Sequence, residues 1–182
     1  MKMVALLKGI NVGGNRKVPM PELKKLAAGL SFTEIETYIN SGNLIFVAHK
    51  ISSAKAESQL EAAIEKHFGF HVDVVVRTLR DWKTLSEAMP FQKAGKERPH
   101  LLHVAIAKRP WPKSSLSMLA QRTGANDLLK FAGGELWIDF GSGVARSKLS
   151  PQQLDRAAGS PVTMRNWRTV LKLASILEIT EN

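Results

Sequence analysis

Cysteine is absent from this chain of 182 residues. That absence excludes a disulfide scaffold, a thiolate zinc site and a cysteine nucleophile. No apolar run approaches the roughly 18–20 residues needed to cross a bilayer. The apolar start Met3-Val4-Ala5-Leu6-Leu7 is cut short by Lys8 and no small-residue cleavage site follows, so it does not read as a signal peptide. The expected location is therefore the cytoplasm, with no membrane partner. Aromatic residues make up only 7% of the chain, which leaves little material for a platform that stacks nucleic-acid bases. Acidic residues are also few: 16 against 26 Lys and Arg, for a net charge of +10.

An apolar content of 44% with 23% charged residues is ordinary for a globular protein. The length fits one domain or two small halves that share a core. The positive excess draws phosphate-bearing partners; the plain alternative is charge that serves solubility alone. Residues 1–91 carry a net +3 and residues 92–182 a net +7. The excess lies in three stretches, Lys2 to Lys25, Lys93 to Arg122 and Arg146 to Lys172. None is a pure Lys/Arg run, so a disordered basic tail is excluded.

Met3 to Ile10 reads as a buried strand ended by the turn cluster Asn11-Val12-Gly13-Gly14-Asn15. Pro21-Glu22-Leu23 opens a helix, with Leu23, Leu26, Ala27 and Leu30 at helical spacing. Ile35 to Ile39 and Leu44 to Ala48 are strands around Asn40-Ser41-Gly42-Asn43. Ser53 to Phe68 is an amphipathic helix stopped by Gly69, Val72 to Arg77 a strand, and Asp81 to Met89 a short helix. The order β-α-β-β-α-β predicts an α+β, ferredoxin-like first half over residues 1–91. The polar stretch Gln92 to Pro99 separates it from a second half, residues 92–182. There, Leu101 to Ala107 is a strand, Ser114 to Arg122 a helix, and Leu128 to Ala132 with Glu135 to Phe140 a hairpin. Ser150-Pro151-Gln152-Gln153 starts a helix at capping-box spacing. A last helix runs from Thr163 to Leu177, its buried face formed by Trp167, Val170, Leu171, Ala174 and Leu177. This similar βαββα order with a C-terminal helix repeats the first half in element order, without an aligned residue repeat. The halves remain open to packing as one compact unit.

The first candidate site is the loop Lys8-Gly9-Ile10-Asn11-Val12-Gly13-Gly14-Asn15-Arg16-Lys17. Glycines bring backbone N–H groups near an anion, and Arg16 and Lys17 add charge. Gly9 and Gly14 have P-loop spacing, but no Gly-Lys-Ser/Thr follows, and Gly-x-Gly-x-x-Gly is also absent. The alternative is a surface turn. The second candidate, Ser41 and Asn43, offers hydrogen bonds beside that loop, although Asn and Gly here also close a tight turn for structural reasons. The third joins Gly141-Ser142-Gly143-Val144-Ala145-Arg146-Ser147-Lys148 to Arg165, Asn166 and Arg168. On a helix, Arg165, Arg168 and Lys172 would share one cationic edge. Trp167 reads as core.

The five histidines, His49, His67, His71, His100 and His103, show no zinc-helix spacing, and neither a metal nor a cofactor is expected. Ser142 does not sit in a nucleophile elbow. Asp127 and Asp139 flank the second hairpin and stand close if they face each other, but a catalytic pair is the weaker reading. The RNA-binding signature of ferredoxin-like sheets is missing.

The segment Ala5-Leu6-Leu7-Lys8-Gly9-Ile10-Asn11-Val12-Gly13-Gly14-Asn15, continued by Val18-Pro19-Met20, resembles a bacterial family catalogued as domain of unknown function 1697. Tyr38-Ile39-Asn40-Ser41-Gly42-Asn43, Arg146-Ser147-Lys148-Leu149 and Thr163 through Val170 extend the resemblance from near residue 3 to near residue 177. Lys8 stands where the family often has arginine, and Met164 where a second threonine is common. The resemblance implies an α+β cytoplasmic protein and no particular reaction, ligand or catalytic residue. The leading expectation is a protein that binds an anionic partner, either nucleic acid or a phosphorylated small molecule, through the three candidate sites. The alternatives are an enzyme acting on a phosphorylated metabolite and a protein–protein module with incidental charge.

Overall fold

The computed structural model describes residues 1–124, 126–141 and 143–179. Two compact units divide the chain: Met1–Trp82 together with the chain from Ser175, and Lys83–Ala174.

The first unit contains β1 (Lys2–Leu7), α1 (Met20–Gly29), β2 (Thr33–Tyr38), β3 (Asn43–Val47), α2 (Ser53–Phe68) and β4 (Val74–Thr78). The strands form an antiparallel sheet in the order β2-β3-β1-β4, the ferredoxin-like arrangement. Alternation along β1 sends Met3, Ala5 and Leu7 into a core shared with Leu23 and Ala27 of α1 and Ala56, Leu60 and Ile64 of α2. Phe46 stacks on Phe32 within it, ring centroids 4.4 Å apart. The α2 boundaries follow local chemistry. The Ser52 hydroxyl accepts the Lys55 N–H at the start, and Gly69, at φ 78°, takes the left-handed conformation at the end. Val4, Leu6, Ile45 and Val75, on the other face of the sheet, are buried as well. Lys2 Nζ donates to the Ile176 and Leu177 carbonyls, where a cation suits the end of a helix.

Helix α3 (Leu79–Glu87) precedes α4 (Gln92–Glu97), and α4 lies in the stretch expected to be a polar connection. Burial of Ala94 and the bond from the Gln92 amide to the Met89 carbonyl hold this short helix, and neither is visible as periodicity.

In the second unit are β5 (Leu102–Ala107), α5 (Ser115–Ala120), β6 (Asp127–Ala132), β7 (Glu135–Phe140), a 3-10 turn at Val144–Arg146, α6 (Pro151–Ala158) and β8 (Val162–Asn166). Helix α7 (Trp167–Ile179) follows. The strand order β6-β7-β5-β8 reproduces that of the first unit. The expected capping box forms at α6: the Ser150 hydroxyl accepts the Gln153 N–H, and the Gln153 amide oxygen accepts the Ser150 N–H. The last helix begins at Trp167 and not at Thr163, because Val162–Asn166 pairs with β5 as an eighth strand. On α7, Leu171 is 48% exposed and Leu173 is buried, so the apolar stripe runs through Val170, Leu173 and Leu177.

Strand register supplies the residue-level repeat that the sequence alone does not show. Val4 opposes Arg77 and Val104 opposes Arg165; Leu7 opposes Val74 and Ala107 opposes Val162. Ala5 opposes Leu44 and Ala105 opposes Leu136. The N–H of Lys8 reaches the Asp73 carbonyl as the N–H of Lys108 reaches that of Pro161.

Candidate functional site

Between β1 and α1 the loop folds back on itself. The Asn11 N–H donates to the Arg16 carbonyl at 3.2 Å and the Asn15 N–H to the Val12 carbonyl at 3.1 Å. Gly13 and Gly14, at φ 59° and 80°, make the turn of this miniature hairpin. Two consecutive left-handed residues are the geometry for which glycine is suited. The turn bond uses the Asn15 N–H and leaves those of Gly13 and Gly14 without an acceptor among the described residues.

Asn11 holds the base of the loop. Its amide nitrogen donates to the carbonyls of Val18 (3.0 Å) and Asn40 (2.8 Å), and its amide oxygen accepts the Val18 N–H (2.9 Å). The bond to Asn40 joins the loop to the β2–β3 turn, so the first two candidate segments are neighbours. Gly42 is required there: a Cβ on it would lie 2.7 Å from Ile10 Cδ1 and 2.8 Å from Leu7 Cβ. Together Asn11, Gly14, Lys17, Val18, Pro19 and Asn40 line a pocket of about 320 Å³. Arg16 and Lys17 are exposed, and neither has an ion-pair or hydrogen-bond partner for its side chain among the described residues. Lys8 is half-buried, and Asn15 is exposed at the hairpin. Asn43 is fully buried and its amide donates to the Tyr38 carbonyl and to the exposed Ser41 hydroxyl. Its polar atoms are committed to closing the turn.

The remaining candidates lie in the second unit. Ser142 falls outside the described residues. Arg146 and Lys148 are exposed, and between them the Ser147 hydroxyl donates to Asp127 Oδ2 at 2.9 Å and accepts the Leu149 N–H. Arg165 does not share a helical edge with Arg168 and Lys172, because it lies in β8, 6% exposed. Its guanidinium donates to Thr163 Oγ1 (2.7 Å) and to the Met164 carbonyl (2.9 Å). Burial pushes it down to about 10, so it is still a cation at neutral pH. The Asn166 amide donates to the carbonyls of Pro99, His100 and Leu102, while its oxygen accepts the Arg168 N–H and starts α7. Arg168 itself is exposed.

Asp127 and Asp139 do not face each other. Asp127 opposes Phe140 and Asp139 opposes Leu128, so the two carboxylates lie on opposite faces of the sheet. Asp139, 1% exposed, takes two hydrogen bonds from Arg98. Sequence reading had no signal for this pair, whose members are separated by 41 residues.

The fold has a solved counterpart. The chain is similar to a structure titled "The structure of conserved bacterial protein SP0830 from Streptococcus pneumoniae", with a TM-score of 0.72 and 22% identity over 97% of this chain and 98% of that one. No curated protein is similar enough to match. Over residues 1–137 the sequence matches the family described as Protein of unknown function (DUF1697), and the chain belongs to that family.

Proposed function

We propose that the protein binds a small phosphorylated molecule in the pocket between the β1–α1 loop and Asn40. The carrying observation is that one short loop holds two cations without side-chain partners among the described residues, Arg16 and Lys17, and the unused N–H groups of Gly13 and Gly14, and that Gly14 and Lys17 of this loop line the pocket. Backbone N–H groups in left-handed turns receive anionic oxygens, and adjacent cations strengthen those bonds. A volume of about 320 Å³ suits a compact ligand, at the lower end of small-molecule sites.

Nucleic acid is the weaker reading. Ferredoxin-like sheets bind RNA by stacking bases on an open face. Here Val4, Leu6, Ile45 and Val75 in one sheet and Val104, Ile106 and Trp137 in the other are all buried. The net charge of +10 supports both readings equally.

The test is binding of a fluorescent ATP analogue and of labelled single-stranded RNA at two salt concentrations. The ATP analogue is expected to bind, with Arg16→Glu and Lys17→Glu each weakening it by about tenfold, the effect of one lost charge-assisted hydrogen bond. Affinity unchanged in the double variant overturns the reading. RNA binding alone, falling steeply with salt, transfers the function to nucleic acid.

A further inference from the structure

A second polar cluster lies where α2 ends and β4 begins. Glu61 and Glu65 stand one turn apart on α2, and the chain returns past Gly69 to present His71 and Asp73. One ligand atom from each of Glu61, His71 and Asp73 lies within 4.8 Å of the others. His71 Nε2 is 3.2 Å from Asp73 Oδ1, and its Nδ1 is 3.5 Å from Glu65 Oε2. The imidazole thus sits between carboxylates supplied by two different segments.

The other unit shows which part of this cluster the scaffold needs. Glu61 Oε1 accepts the N–H of Val74, the first residue of β4, at 2.8 Å. Asp155 on α6 does the same for Val162, the first residue of β8, also at 2.8 Å. A helix carboxylate that caps the edge strand is therefore common to both units. The histidine and aspartate are not: by strand register, Gly159-Ser160-Pro161 occupies the place of His71-Val72-Asp73. His71 and Asp73 are additions that the shared architecture does not call for, and the Val74 N–H fixes the orientation of the Glu61 carboxylate beside them.

We propose that Glu61, His71 and Asp73 form a site for a divalent first-row transition metal ion, with Glu65 adjoining. One imidazole nitrogen and two or three carboxylate oxygens suit Zn²⁺, Mn²⁺ or Co²⁺. Three carboxylates gathered in a chain of net charge +10 make a local anionic pocket that attracts such a cation. Ligand atoms in a closed site stand about 2.0–2.2 Å from the ion. The side chains here are half-exposed and reach that distance by changes of rotamer, exchanging the present His71 contacts for coordination. The inference does not depend on the phosphate pocket.

Calorimetric titration of the full chain with ZnCl₂, and visible absorption with CoCl₂, provide the test. One saturable equivalent is expected. His71→Ala and Asp73→Asn are each expected to weaken it at least about tenfold, and His67→Ala to leave it unchanged. NMR of the wild-type imidazole signals reads the same site without substitution, and Zn²⁺ is expected to shift His71 and not His49, His67, His100 or His103. No saturable binding, affinity retained in His71→Ala, or shifts at the other histidines overturns the proposal.

Discussion

The two units use one strand order and one register, yet they differ where the chain leaves the first strand. From Leu7 to Met20 the first unit inserts twelve residues, rich in Gly and Asn and held by Asn11. From Ala107 to Ser115 the second inserts seven, with two prolines and Trp111, whose indole N–H donates to Glu135 at 2.9 Å. One connection carries Arg16 and Lys17, whose side chains have no partner among the described residues, and places Lys17 and Gly14 on a pocket; the other folds an aromatic ring against Phe131. The central strands β1, β3, β5 and β7 are buried along almost their whole length, and packing constrains their residues in both units. The connections carry no such constraint, and there the units diverge.

Paired substitutions test this comparison. The largest effect is expected at the hairpin glycines. Gly42 and Gly134 are equivalent, both at φ 80°, but only Gly42 has neighbours where a Cβ would go. Gly42→Ala is expected to cost roughly 2–4 kcal/mol, combining left-handed strain with overpacking against Ile10 and Leu7. Gly134→Ala is expected to cost about 1 kcal/mol from strain alone. Urea unfolding of both variants measures the difference, and equal losses would show that the loop does not pack on Gly42.

A smaller effect is expected in the connections. Asn11→Ala removes three hydrogen bonds at a partly buried position and is expected to cost about 2 kcal/mol. Trp111→Phe removes one and is expected to cost about 1 kcal/mol. Amide hydrogen exchange at Val18 should accelerate in the first variant and not in the second.

The smallest effect concerns acid. His103 occupies the place that Met3 fills in the first unit, and burial holds its imidazole below the ordinary value of 6.5. The unfolded chain then binds this proton more readily than the folded one. Stability from this group is complete above pH 6.5 and declines as pH falls below it. His103→Met is expected to flatten that decline, read as the change in urea midpoint between neutral and mildly acidic buffer. An unchanged slope would place the acid sensitivity elsewhere.

Much of this architecture was legible. Periodicity located α2 residue for residue, the capping box at Ser150 formed as its spacing required, and turn chemistry marked both hairpins. Strand β8 was not legible, because Val-Thr-Met-Arg-Asn carries no decisive pattern and becomes a strand only by pairing with β5. Its misreading as helix put Arg165 on a surface edge. Among the site candidates, Asn43 and Asn166 have the residue types of ligand contacts, yet their amides serve backbone carbonyls. The cluster proposed to take a metal ion left a faint trace, Glu61 and Glu65 one turn apart followed by His71 and Asp73, but the spacing matches no familiar helix motif.

The sequence by itself determined the α+β class, the βαββαβ order of the first unit, both ends of α2, the start of α6 and the glycine turns, all of which depend on residues within a few positions of one another. Tertiary structure alone decided the second unit's fourth strand, the burial of Arg165, the joining of the β1–α1 loop to Asn40, and which polar groups stay available to a ligand. A hydrogen-bond donor with a partner inside the fold is closed to a ligand, and for Asn11 and Asn166 those partners stand 29 and up to 67 residues away along the chain.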